Sequence, residues 1–123
     1  MQVMRVYTGK DGRSHFEDVE LDFDASAGRF PRALMQDAHE TGFNFQPGGF
    51  QDSMHTAPYR RMVIILSGGV DIVLSGGDHR QVGPGDVIIF EDTTGEGHIM
   101  NPIGDEPRYS AYVALEDPQA RKR

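Results

Sequence analysis

The chain has 123 residues, enough for one domain of ordinary size and too few for two. Hydrophobic residues make up 37% and charged residues 25%, and no apolar run approaches the ~20 residues of a membrane span, which excludes a disordered or helical membrane protein. A net charge of −7 opposes nucleic acid and acidic membrane surfaces, and the absence of cysteine removes disulfides, thiolate metal sites and cysteine nucleophiles together.

The N-terminal "MQVMRVYTGKDG" has no apolar core or cleavage site of a secretory signal, so the cytoplasm is the expected compartment. "RSHFEDVEL", with His15, reads as a strand or arm. Residues 32–39, "RALMQDAH", have the propensity for two turns of helix, with a proline at position 31 suited to the first turn. "TGFNFQ" puts Phe43 and Phe45 on one face of a strand before the turn "PGG". In "RRMVIILSGGVDIVLSGGDHRQVGPGDVIIFED" strands are expected near 60–66, 70–75, 79–82 and 87–91, with two "SGG" turns supplying the positive φ angles of tight hairpins. "PRYSAYVALE" alternates again and closes the fold, and the basic tail "ARKR" reads as a solvated terminus. Fifteen glycines and seven prolines thus punctuate short strands at the spacing of an all-β sandwich or barrel.

Lysine occurs only at Lys10 and Lys122, both in polar segments, which argues against a buried Schiff-base lysine. The other ten basic residues are arginines. Arginine stays charged when buried and grips carboxylates through two parallel hydrogen bonds, so one beside an apolar strand is a candidate ligand anchor. There is no G-x-S-x-G elbow and no phosphate-binding G-x-x-x-x-G-K-[ST], and "GEGHIM" lacks the third glycine of a dinucleotide loop.

Two longer patterns carry a family resemblance. "GFQDSMHTAPYRRMVIILSG" keeps Gly49, His55 and Gly68 at the spacing of the first cupin motif, but has Ala57 at its second histidine and Arg61 at its glutamate. "GPGDVIIFEDTTGEGHIMN" keeps Gly85, Asp86 and His98 of the second motif, with Glu91 where proline is common and about two extra residues in the turn. The chain therefore resembles the cupin superfamily over residues 43–115, and in its "H-x-A-P-x-R" and "E-D-T-T-G-x-G-H" it looks like small single-domain bacterial cupins. The resemblance implies an all-β fold, a double-stranded β-helix (cupin jelly-roll) barrel forming a single domain, with residues 1–40 as an N-terminal arm and 43–115 as the barrel core. Isomerase, lyase, cyclase and oxygenase chemistries all occur on that fold, which does not choose among them.

Alternation along strands sends Ala57, Arg61, Val63 and Ile65 into the barrel if His55 points there, sets Val87, Ile89 and Glu91 on one side of the facing strand, and groups Glu96, His98 and Met100 after the turn. The expected reading is an enzyme acting on a small anionic organic compound by acid–base chemistry, with non-catalytic ligand binding as its rival. His98, Arg61 and Glu91 are the catalytic candidates, and Arg61, Val63, Ile65, Met100 and Tyr112 the substrate contacts. His55, His98 and Glu91 are the candidate ligands of one divalent Fe, Mn, Ni or Zn ion, with Glu96 and Asp92 as other third ligands. A cavity without metal is the alternative, since Arg61 puts a cation where a carboxylate ligand belongs. The bland readings are interior histidines that only pack, and an Arg61–Glu91 structural ion pair. A small-molecule ligand and a homodimer are the expected partners, the dimer through outward-facing Ile88 and Phe90.

Overall fold

A computed structural model describes residues 1–25, 28–34 and 36–116; the basic tail lies outside the described residues. Nine strands follow in order: β1 (Gln2–Thr8), β2 (Ser14–Glu20), β3 (Ala38–Gln46), β4 (Arg61–Ser67), β5 (Val70–Leu74), β6 (His79–Val82), β7 (Val87–Phe90), β8 (His98–Pro102) and β9 (Arg108–Leu115). They form a six-stranded sheet in the order β2-β1-β7-β4-β9-β3 and a three-stranded sheet in the order β6-β5-β8. Pairing is antiparallel except between β1 and β7, which run parallel with Val6 beside Phe90. No helix among the described residues is long and apolar enough to cross a membrane.

The four strands expected between residues 60 and 91 all form, the apolar runs of β4 and β5 each ending at an SGG turn that contains a glycine at positive φ. The described residues of the segment 32–39 are not helical: Arg32 makes a bridge with Asp24, and β3 begins at Ala38. Without an apolar stripe to bury, helical propensity alone does not hold a segment so short, and pairing with β9 captures its end. The N-terminal segment is more than an arm, for β1 and β2 supply two of the six strands of the larger sheet.

The core lies between the sheets, where Val6, Val63, Ile65, Ile88 and Phe90 meet Val70, Ile72, Leu74, Val82 and Met100. Ile88 and Phe90 are fully buried there, which corrects the expectation that they face outward into a subunit interface. β7 is paired on both sides and covered on both faces, so "VIIF" is apolar throughout and its alternation does not say which face is inner. Val3, Ile89 and Leu115 form a second cluster on the opposite face with Met62 and Val113. The connection from β2 to β3 joins the two edges of this sheet, and its contacts through Leu21 and Gln36 lie on that outer face.

Glu91 stands on the outer face too. Its carboxylate accepts hydrogen bonds from Arg5 Nε and, at 2.7 Å, from Arg60 Nε, and Arg60 continues to the carbonyl of Glu116 and to Gln36 Oε1. Burial pushes the Glu91 carboxyl upward in pKa, but the two guanidiniums outweigh it and hold the group below its ordinary value of 4.5. A depressed folded-state pKa contributes stability that is complete above the unfolded value and is lost as pH falls through the folded value. Glu91→Gln, which strands two arginines, is expected to cost about 2 kcal/mol near neutral pH, less than the about 3–5 kcal/mol of a fully buried pair because Glu91 keeps 20% of its surface in solvent. Urea unfolding across pH checks this: the gap to wild type should shrink steadily below about pH 4.

Candidate functional site

His98 opens β8 and is fully buried, stacked on Phe90 at 4.7 Å between ring centroids, with the His55 ring tilted against it at 4.8 Å. Its Nδ1 donates to Asp92 Oδ2 at 2.6 Å, and Ser14 Oγ donates to the same oxygen at 2.7 Å. His55 is tied to His98 by two backbone hydrogen bonds of 3.0 and 2.8 Å, and Ala57 N donates to the Asp92 carbonyl. This close approach of two backbones needs Gly97, which adopts φ +84° and on which a Cβ would collide with the carbonyl oxygen of His55. The extra residues of the second motif thus lay the 95–97 turn against the His55 loop and, through Glu96 N, against the carbonyl of Gly12.

In front of this buried frame lies a cavity of about 250 Å3 between the sheets. His55, Arg61, Val63 and Met100 line it, as expected, together with Gln46, Asp52, Phe45, Phe50, Arg108 and Ser110. Arg61 opens β4 and Arg108 opens β9; these strands are antiparallel neighbours, so the two guanidiniums enter from opposite ends. Arg61 Nε and Arg108 Nε and Nη1 are buried without a hydrogen-bond partner, and so are Ser110 Oγ and Gln46 Oε1. Neither arginine has a carboxylate partner among the described residues. Burial, and then the nearby Arg61 cation, lower the pKa of Arg108 against an opposing pull from Asp52. Asp52 is itself anchored, accepting the Met100 N–H at 2.8 Å and lying 3.5 Å from His55 Nδ1.

Several expected site residues are elsewhere. Glu91 is on the far face of the sheet, so it joins neither His55 nor His98, and the Arg61–Glu91 pair does not form. His98 sits behind the cavity wall and is not among its lining residues. Ile65 is buried in the core, and Tyr112 packs beside it with its ring across Gly42, where a Cβ would lie 2.9 Å from a ring carbon. Arg108, Ser110 and Gln46 were missed. Their strands were legible, but "PRYSAYVALE" does not say which of its alternating faces is inner, and nothing local marks Arg108 as an interior residue.

The donor set does not fit a divalent ion. No three His, Cys, Asp or Glu side chains converge among the described residues. Asp92 is engaged at Oδ2 by His98 and Ser14, and although its Oδ1 and the Nε2 of His98 are buried without a partner, no third ligand joins them among the described residues; Glu96 faces Arg13 and Ser75, and the cavity charges are mainly cationic.

No family model matches the chain, and no curated protein matches it. Among solved structures it is similar to the cupin domain of Cnp3 from Schizosaccharomyces pombe, at 15% identity and a TM-score of 0.56 over 100% of this chain and 88% of that one. It is also similar to a putative ethanolamine utilization protein from Salmonella typhimurium (18% identity, TM-score 0.49, 94% of this chain and 95% of that one). A third likeness is to a cupin-superfamily sugar phosphate isomerase from Silicibacter pomeroyi (23% identity, TM-score 0.44, 95% of this chain and 71% of that one).

Two measurements separate frame from cavity. In urea unfolding Asp92→Ala should lose about 3 kcal/mol, because it leaves a buried imidazole and hydroxyl unmatched, whereas His55→Ala should lose less than about 1 kcal/mol; equal losses would put His55 in the frame as well. Calorimetric titration with Zn2+ or Mn2+ should reveal no tight site that both His55→Ala and His98→Ala remove.

Proposed function

We propose that this chain, whose fold is that of a cupin, is an enzyme that holds a small organic anion in the cavity between its sheets and exchanges a proton with it through His55. The carrying observation is the pair Arg61 and Arg108: a half-buried and a buried cation on one cavity, with buried N–H donors unmatched among the described residues. A buried charge left without a partner costs several kcal/mol, and an anionic ligand supplies what the protein withholds. The cavity is smaller than the roughly 300–1,000 Å3 of sites for drug-sized ligands, which limits the occupant to a compact molecule.

His55 is set for proton exchange by its tautomer. Its Nδ1 lies 2.7 Å from the carbonyl oxygen of Ser53, which can only accept, so Nδ1 carries the hydrogen and Nε2 of the neutral ring keeps a lone pair. A carbon acid bound through its carboxylate would give its proton to Nε2, and the charge moving onto the carboxylate oxygens as the enediolate forms would meet the guanidinium N–H groups. Return of the proton to either face completes the cycle without a co-reactant. Ligand binding without turnover is the second reading, favoured by a lining that offers a single imidazole and no further histidine opposite it.

The arginines give an unusual signature. Arg108→Met is expected to raise the stability of the ligand-free protein by about 1 kcal/mol or more while abolishing carboxylate binding, since the buried cation is unpaired until a ligand arrives. Urea unfolding and NMR titration with propionate check the two halves, and a loss of stability with unchanged binding would refute the site. Incorporation of solvent deuterium beside the carboxylate of a bound acid, lost in His55→Ala with binding intact, identifies an enzyme; binding without incorporation identifies a receptor.

A further inference from the structure

Charge and hydrogen bonding in the cavity also restrict the ligand's class. With His55 neutral, the guanidiniums of Arg61 and Arg108 against the carboxylate of Asp52 leave one positive charge. One carboxylate balances it, whereas a phosphate dianion overshoots. The hydrogen-bonding groups ask for something further. Gln46 is 8% exposed and Arg108 9%, and the two stand directly opposite each other in the β3–β9 pairing. Gln46 Nε2 donates to the carbonyl of Met100 at 3.0 Å, which fixes the amide so that Oε1 is the free end. An unmatched acceptor, Gln46 Oε1, therefore stands in the same cavity lining as unmatched donors, Arg108 Nε and Nη1. A carboxylate can answer the donors but not the acceptor. A hydroxyl answers both, accepting from Arg108 while donating to Gln46. An ammonium group would also donate to Gln46, but it would add a third cation beside two guanidiniums.

We infer that the cavity takes a hydroxylated carboxylate, its carboxylate facing the arginines and its hydroxyl seated between Gln46 Oε1 and Arg108. This rests on the anion-site reading above and adds the role of Gln46 as the specificity-determining residue. A site built to hydrogen-bond a hydroxyl penalises the analogue that lacks it, because the buried polar groups are then left unmatched.

The test is NMR titration of the intact protein with lactate, in each enantiomer, and with propionate, which differs only in the hydroxyl. Inorganic phosphate serves as the competing anion. The preferred enantiomer of lactate should bind about tenfold more tightly than propionate, and phosphate should bind more weakly than lactate. Gln46→Leu should reduce the lactate preference to less than about threefold, while Arg61→Ala weakens both acids. The wild-type comparison needs no variant, so it decides the question even if Gln46→Leu does not fold. Equal affinity for lactate and propionate, with both lost in Arg61→Ala, would overturn the hydroxyl assignment and leave the anion site standing. No binding of any of the three ligands would overturn both.

Discussion

Three separate parts of the chain hang from Asp92, a carboxylate with no exposed surface. Its Oδ2 receives Ser14 from β2 and His98 from β8, and its backbone carbonyl receives Ala57 from the loop that carries His55. A buried carboxylate depends on hydrogen bonds that replace water, and the two that reach Oδ2 come from both sheets, so they also fix how the sheets meet, while Oδ1 and the Nε2 of His98 stay buried without a partner among the described residues. His98, pinned at Nδ1 and stacked between Phe90 and His55, passes that constraint to the cavity wall. His55 is placed in turn by backbone bonds to His98, by its ring against the His98 ring and by its Nδ1 bond to the Ser53 carbonyl, while the ring lines the cavity. The two motif histidines thus divide their labour, one holding the frame and the other lining the cavity.

Arginine is used in opposite ways on the two faces of the large sheet. On the outer face Arg5 and Arg60 flank Glu91, and the Arg60 fork also reaches Glu116 and Gln36, so the charges are matched and the network ties β1, β4 and the β2–β3 connection together. On the inner face neither Arg61 nor Arg108 has a carboxylate partner among the described residues; Arg108 feels only the pull of Asp52, and the Arg61 guanidinium lies over the Phe90 ring at 5.8 Å. Arg60 and Arg61 are adjacent in the chain, and strand alternation alone sends one to a structural cluster and its neighbour to the cavity. Buried cations with no partner are costly, and it is this cost that the proposed anionic ligand would offset.

What the sequence revealed follows from where its signals are local. The hairpins around the "SGG" turns were legible because glycine at positive φ and flanking β-branched runs act within a few residues. His55, Arg61, Val63 and Met100 were legible as a cavity set because Arg61, a charge at the head of the apolar run of β4, falls in one phase with Val63 and fixes which face of that strand is inner. β7 has no such pattern. Its "VIIF" is buried from both sides, so Glu91 was assigned to the wrong face along with Ile88 and Phe90, and the expected metal triad lost its third member by that single inversion of phase. Arg108 and Gln46 are far apart in sequence, and only the β3–β9 pairing brings them together.

The departures from the cupin metal motif then form one coherent change. Ala57, in the place of the second histidine, is 1% exposed and packs in the core beside Val63 and Ile65, so an imidazole there would have to displace core side chains. Arg61, in the place of the glutamate, projects into the cavity and turns a position that would attract a metal cation into one that repels it. Replacing only the histidine would leave a weak metal site, and replacing only the glutamate would leave imidazoles facing a guanidinium. With both replaced, and with Arg108 entering from the other end of the sheet, two guanidiniums and the single carboxylate of Asp52 line the cavity, a charge set that disfavours a metal cation and on which the proposed anion site rests. The retained His98 is explained on the same terms, for its buried bond to Asp92 holds the frame whether or not a metal is present.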